Sequence, residues 1–520
     1  MASGTNLDDI VEPGFYPGFA ADPINKPGGA SSGFLTVAEL STGVATSVRQ
    51  EWQDYGMYGT WRRNRGTGGW GPWLRTDDIP RVAEPLATGN ATTVGPGRHD
   101  VPNAHTVTGL PSAEGGLLTR TGVIDTYVTR GEVSSTFERR LRPDGLWTTW
   151  ARIAGEKVAP LAITRPQAML TETNTSRSVR TPFTVPTRVR KWRVVIRNAN
   201  YRTNTAYAGG VTIRTLCVGT ADHDAAGAIT SSFTPSGTFP SGLRIILRDA
   251  SVADMGAGYT SPWVTSELVP GVDYMMSLGY QTNGQEVHLG MGGGWWTNGN
   301  PMNAELTSGP TGAAVKRLPF DIRIETVLDT DDPVDVIIGD SIAAASSATL
   351  PVREAPLAIA NRSAGRAVRT HAFGGAAMSE WIGVNWGDPA SMKWTDVTNY
   401  GPADRVLIAL GNNDIHAGTN LKTLQANLAT LVGLVRERLT STVLVATVTP
   451  RTAWTGTANE TLRAAFNNWL RSFPAGIDGI VDQAAAVENE AGNAPRADLV
   501  ATDGIHFTSS GTAALASAIR

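Results

Sequence analysis

Apolar and polar positions change their texture twice along the 520 residues of this chain. In the first part, short alternating stretches are broken by Gly, Pro and Asn, the pattern of half-buried strands joined by tight turns. From residue 158 to 332 the alternation runs longer, as in Lys191 to Arg197, Gly242 to Leu247 and Asp321 to Glu325. Helical spacing does not persist there, and a β-sandwich is the expected solution. From Pro333 onward, compact apolar runs (Val334 to Ile338, Val368 to Phe373, Arg405 to Leu410, Thr442 to Thr449, Gly479 to Val481) alternate with helix-spaced segments. Leu421, Leu424, Leu428, Leu431, Val432, Val435 and Leu439 share one helical face, with Asn420 or Thr419 placed to cap its start. Leu462, Phe466, Trp469 and Phe473 mark a second helix. Such alternation predicts right-handed crossovers and a parallel α/β sheet.

Two segments of the first part read as copies of one small β module. Ile10-Val11-Glu12-Pro13-Gly14 parallels Thr93-Val94-Gly95-Pro96-Gly97, and Gly33-Phe34-Leu35-Thr36 parallels Gly116-Leu117-Leu118-Thr119. Each closes on paired tryptophans, Trp70 with Trp73 and Trp147 with Trp150, after an arginine-rich stretch. A common period with matching ends argues for duplication. Cores this small are marginal, so the tryptophans are expected to be packing anchors. The expected domains are therefore residues 1–80, 81–157, 158–332 and 333–520, a multidomain chain in keeping with its length. In the third, Gly292-Gly293-Gly294-Trp295-Trp296 could present rings to a sugar or serve as filling, and that domain could also mediate trimerisation.

Composition narrows the function classes. A net charge of -3 with 18% charged residues gives no global field toward nucleic acid or an anionic membrane. The single cysteine, Cys217, excludes an internal disulfide framework and a thiolate metal site, and is expected to be buried and inert. The amino terminus has neither the basic segment nor the apolar core of a signal peptide, and no apolar stretch is long enough to span a bilayer. Action outside a cell would then require another carrier, and a virus particle assembled in the cytoplasm meets that need.

The chemistry gathers in the last third. Gly339-Asp340-Ser341 follows the first apolar run, Gly374-Gly375 the second and Gly411-Asn412-Asn413-Asp414 the third, while Asp503-Gly504-Ile505-His506 lies near the end. On an open parallel sheet, ligands gather outside the carboxyl ends of the strands. A serine hydroxyl there needs a base, for which His506 is the candidate, and Asp503 is spaced to hold the imidazole's tautomer. The N–H groups of Ser341 and Gly375 and the amide of Asn413 are candidate oxyanion donors, with Gly374 an alternative to Gly375. Asp340 is expected to brace the nucleophile loop. His416 reads as a solvated loop histidine, Asp388 as a pocket border, and Asp222-His223-Asp224 as an ordinary loop rather than a metal site.

These four blocks resemble the SGNH (GDSL-like) hydrolase family over about Pro333 to Arg520. The departure is Ile342-Ala343-Ala344-Ala345-Ser346, where the family more usually has leucine and glycine. The resemblance implies a three-layer, flavodoxin-like α/β domain and a serine esterase that uses no cofactor or metal. Asn6-Leu7-Asp8-Asp9-Ile10, Pro13-Gly14-Phe15-Tyr16 and Trp70-Gly71-Pro72-Trp73 resemble the knob modules of pyocin and bacteriophage tail fibres. Together the resemblances imply a tail-associated esterase acting on ester-linked acetyl groups of host surface polysaccharide. The implied location is the virion at the bacterial surface, the implied state a homotrimer, and the implied partners other tail proteins, with no nucleic acid and no membrane insertion. Two other readings stand beside it: a receptor-binding structural tail protein with a vestigial hydrolase domain, and a lipid or mycolate esterase.

Overall fold

The computed structural model describes the chain from Asn6 to Ile519 except for a number of stretches, the longest being 20–32, 76–83, 142–149 and 383–396. It divides into two compact units, residues 1–107 with 115–127, and residues 108–114 with 128–520. Among the described residues, no helix is long and apolar enough to cross a membrane.

The first unit is β-rich. Antiparallel strands Gly14–Phe19, Gly33–Ser41, Thr46–Asp54 and Thr60–Gly66 follow one another in one sheet. Gly33 and Gly116 both open strands, and Leu35 and Leu118, two residues on in each, have no exposed surface. Trp70 donates its indole N–H to the Asp8 carbonyl (2.9 Å) and lies under the Arg63 guanidinium. In the second unit the buried Trp150 lies in the same way under Arg139. Both tryptophans are thus used in packing. Trp73 and Trp147 lie outside the described residues.

The second unit holds, among its described residues, an eleven-stranded sheet built by antiparallel pairing. The strand Lys191–Arg197 alternates between buried and half-buried positions as its sequence predicts. Asp321–Leu328 does not: every position is buried, its polar face of Asp321, Arg323 and Glu325 being covered by Arg197, Tyr400 and Arg193. Trp295 packs with Phe233 and Met275, and Arg177 covers the Trp296 ring at 4.0 Å, so these rings serve packing rather than display. Cys217 is buried, and burial pushes its thiol up to about 11.

The last third forms five parallel strands, β1 (Val334–Gly339), β2 (Ala367–Ala372), β3 (Arg405–Ala409), β4 (Val443–Ala446) and β5 (Gly479–Val481). Their order is β2-β1-β3-β4-β5. Side chains of β1 alternate faces. Val336 and Ile338 pack with Leu424, Leu428, Leu431, Val432 and Val435 of the helix Leu421–Arg438, and with Phe466 and Leu470 of the helix Ala458–Arg471. Ile337 packs the other way, with Leu357 and with Ile519. Among the described residues, the helices of five or more residues in this third are α1 (Pro356–Ala364), α2 (Asn412–His416), α3 (Leu421–Arg438), α4 (Ala458–Arg471), α5 (Gln483–Val487) and α6 (Ser509–Ser517). Asn420, not Thr419, caps α3, its side chain accepting the Thr423 N–H at 3.0 Å.

Two expectations need correction. The run Thr442 to Thr449 is a strand only over Val443–Ala446. Beyond it the chain turns to side-chain partners: Thr447 donates to Asp482 (3.0 Å) and the Val448 N–H to Asn467 (2.8 Å). Phe473 is not on the second helix; it follows the end of α4 with φ 55° and is 59% exposed.

The amino ends of β1 and β2 pack against the eleven-stranded sheet. Val334 and Ala367 belong to its apolar core. Around them Lys157 pairs with Asp404 at 3.1 Å, and Tyr400 donates to Glu325 at 2.7 Å. The opposite, carboxyl rim carries the polar clusters, and order reverses at β1, the kind of crevice where open parallel sheets take their ligands.

Candidate active site

Ser341 begins a tight series of turns two residues beyond the end of β1. Asp340 accepts the Ile342 N–H at 2.8 Å through its side chain, and its carbonyl accepts the Ala344 N–H at 3.0 Å. The loop is therefore braced by Asp340, as its position predicts. Small residues are needed: a side chain at Gly339 would lie 2.4 Å from the Ala343 methyl. The alanine run of this chain is thus a close-packed turn.

Asp503 and His506 share one turn. The Asp503 carboxylate accepts the N–H groups of Ile505 and His506, both at 2.9 Å, with one oxygen and meets His506 Nδ1 at 2.7 Å with the other. Gly504 makes the turn possible at φ 68°. Thr508 then caps α6, accepting the Gly511 N–H, and its own N–H bonds the Leu499 carbonyl. His506 Nε2 lies 2.8 Å from Ser341 Oγ. The structure thus brings together three residues whose ends are 165 positions apart.

Burial pushes the Asp503 carboxyl up, but the His506 ring and the two N–H donors outweigh it and hold the group down at about 2. It is an anion at neutral pH and can only accept, so Nδ1 carries the proton and Nε2 offers its lone pair to the Ser341 hydroxyl.

Gly375 lies in the turn after β2 at φ 72°. Asp414 holds that loop by accepting the Met378 N–H with both carboxylate oxygens, at 3.0 and 3.1 Å. Burial raises the Asp414 carboxyl, and the N–H groups of Met378 and Ser379 pull it partly back. Asn413, on α2, donates its amide to the Ala376 carbonyl at 3.0 Å, joining the second and third blocks. Gly411, at φ 118°, lets α2 begin directly against Val448, where a Cβ would lie 2.8 Å from a methyl.

Sequence reasoning missed the loop after β4. Arg451 is 5% exposed and reaches back to the third block. It donates to the side-chain oxygen of Asn412, to that of Asn413 (3.2 Å), and to the Asn412 carbonyl (3.3 Å). Its guanidinium also lies 4.7 Å from the Trp454 ring centre. The signal was available: Thr449-Pro450-Arg451 is a further polar cluster beyond a strand's carboxyl end. His416 is exposed, and Asp388 lies outside the described residues. His223 Nε2 meets the Asp273 carboxylate at 2.9 Å, an ordinary side-chain contact.

The sequence profile of the GDSL-like Lipase/Acylhydrolase family matches residues 337–514, which spans every block of this site. The C-terminal third is a GDSL/SGNH-like hydrolase domain. Its type of activity is hydrolysis of an ester or acyl substrate. Solved structures similar to the chain include a member of the lipolytic protein G-D-S-L family from Veillonella parvula, 15% identical over 36% of this chain and 94% of its own, with TM-score 0.29. Another is the psychrotrophic esterase EstA from Pseudoalteromonas, 17% identical over 36% of this chain and 94% of its own, TM-score 0.27. A family two carbohydrate esterase from Clostridium thermocellum, solved with cellohexaose, is 13% identical over 69% of this chain and 96% of its own, TM-score 0.30. No curated protein matches the chain.

Proposed function

We propose that the hydrolase domain is a serine esterase that removes ester-linked acetyl groups from a bacterial surface polysaccharide, carried to that surface as part of a phage tail. The observation that carries the catalytic reading is the unbroken Ser341–His506–Asp503 contact at the carboxyl rim, 2.8 and 2.7 Å long. In this reading Ser341 Oγ attacks the ester carbonyl while His506 Nε2 takes its proton, and Asp503 stabilises the imidazolium. The backbone N–H groups of Ser341 and Gly375 and the Asn413 amide receive the developing oxyanion. His506 returns the proton to the departing sugar hydroxyl, leaving an acyl-enzyme on Ser341. A water molecule, deprotonated by the same imidazole, then releases the acid.

The strand order β2-β1-β3-β4-β5 supports the flavodoxin-like form of the fold. The tail assignment rests on the resemblance of the amino-terminal residues to knob modules, which also supports a homotrimer joined to other tail proteins. Hydrolysis of p-nitrophenyl acetate by wild type and Ser341→Ala tests the core of the proposal. The wild type should turn over and the variant should retain at most about a thousandth of the rate, since the nucleophile cannot be replaced. Equal rates would reject the enzyme in favour of a receptor-binding protein. A series of longer acyl esters tests the acetyl assignment: rates that hold or rise with chain length would favour a lipid or mycolate ester.

A further inference from the structure

Arg451 has an unusual set of partners for a buried cation. Its hydrogen bonds run to neutral oxygens, the side-chain oxygens of Asn412 and Asn413 and the Asn412 carbonyl. Burial pushes its pKa down, and the charges of Asp340 and Asp503 only partly restore it. A guanidinium has five donors and no acceptor. Any amide beside it must therefore turn its oxygen inward, and the nitrogen outward.

That constraint is met twice. Asn412 turns its oxygen to Arg451 and its nitrogen to the Thr449 carbonyl at 3.1 Å. Asn413 turns its oxygen to Arg451 and its nitrogen to the Ala376 carbonyl at 3.0 Å. An amide nitrogen has two N–H groups, so one remains for a substrate oxyanion. In the flipped amide, an oxygen would meet the anion and repel it. The same loop also reaches the base: the Thr452 N–H donates to the Gly504 carbonyl at 2.9 Å, inside the Asp503–His506 turn.

We propose that Arg451 is a positioning residue for the oxyanion site, holding the Asn413 amide with its N–H groups toward the reacting carbonyl. This rests on the esterase reading above. It acts through Asn413 and does not touch the substrate. Its loss should therefore lower kcat with little change in KM, because the donor it aligns matters most when charge develops.

A double-substitution cycle on p-nitrophenyl acetate tests this, with Ser341→Ala as the measure of background. Asn413→Ala should lower kcat about 100-fold or more, as loss of one oxyanion donor does. Arg451→Met should lower it at least about tenfold in the wild type but less than about threefold in the Asn413→Ala background, since residues acting as a unit are not additive. Arg451→Lys should recover part of the rate, because one ammonium can satisfy Asn413 but cannot fork to both asparagines. Should Arg451→Met not fold, Arg451→Lys in both backgrounds carries the same test. Equal losses in the two backgrounds, or an effect confined to KM, would overturn the proposal while leaving the esterase reading intact. Activity unaffected by Ser341→Ala would instead overturn the reading on which it rests.

Discussion

Two carboxylates beside the nucleophile are shifted in opposite directions from the ordinary carboxylate value. Asp503 is held at about 2 and keeps its charge through the whole working range. Its contribution to stability is present above the ordinary 3.8 and lost only as pH falls through about 2. Asp340 is fully enclosed, and burial raises it to about 6 against the pull of the Ile342 and Ala343 N–H groups and of Arg451 and His506. Its sign is the reverse: the folded state holds a proton that the unfolded state has released, so its contribution is present below 3.8 and lost as pH rises through about 6. The stability of wild type relative to Asp340→Asn should therefore decline by about 2 kcal/mol between pH 4 and pH 7. Thermal denaturation of both proteins across that range checks this, and a constant difference would show that Asp340 does not titrate there. At this scale the sequence was informative where chemistry needs adjacent residues, as in Asp340-Ser341 and Asp503 with His506. Arg451 was legible only as part of the polar cluster Thr449-Pro450-Arg451 beyond a strand end; its partners, 38 and 39 positions away, were not, because a lone arginine has no spacing to read.

Elements were legible to the degree that their own side chains define them. The face of α3 was readable because Leu424, Leu428, Leu431, Val432 and Val435 all bury at helical spacing. β5 matches its apolar run, and β2 and β3 lie within a residue of theirs. The ends of β4 and α4 were not readable, since Thr447, Val448 and Phe473 obey tertiary partners and a left-handed turn rather than pattern. The Asp503–His506 turn shows how much one such turn can govern. At Gly504 a Cβ would combine a φ of 68° with a 2.9 Å approach to Thr452. Gly504→Ala should cost on the order of 1–2 kcal/mol of stability. It should lower kcat by a larger proportion, because the turn carries both the base and its carboxylate. Measuring Tm and kcat together checks this; unaltered kcat in a destabilised variant would mean that the turn does not set the geometry of His506.

At the scale of the molecule, the hydrolase domain uses the two ends of its sheet for different purposes. The carboxyl rim holds Ser341, while the amino ends are joined to the eleven-stranded sheet through Val334, Ala367 and the Arg193–Glu325–Tyr400 contacts. Glu325 is almost fully buried, and its removal takes the carboxylate partner from the Arg193 guanidinium and from the Tyr400 hydroxyl. Glu325→Ala should lower stability by about 2 kcal/mol. It should leave kcat on a small ester unchanged below the melting transition, because the strands themselves separate the two ends. A parallel fall in kcat would show that strain at the base reaches the reaction centre. The shared apolar floor has a practical corollary for anyone wishing to pare the chain to a minimal catalyst. Amputation at Pro333 would strip the covering from Val334 and Ala367 and leave an oily underside facing water. The eleven-stranded sheet is then the foundation on which the catalyst stands, and the two are best produced as one piece.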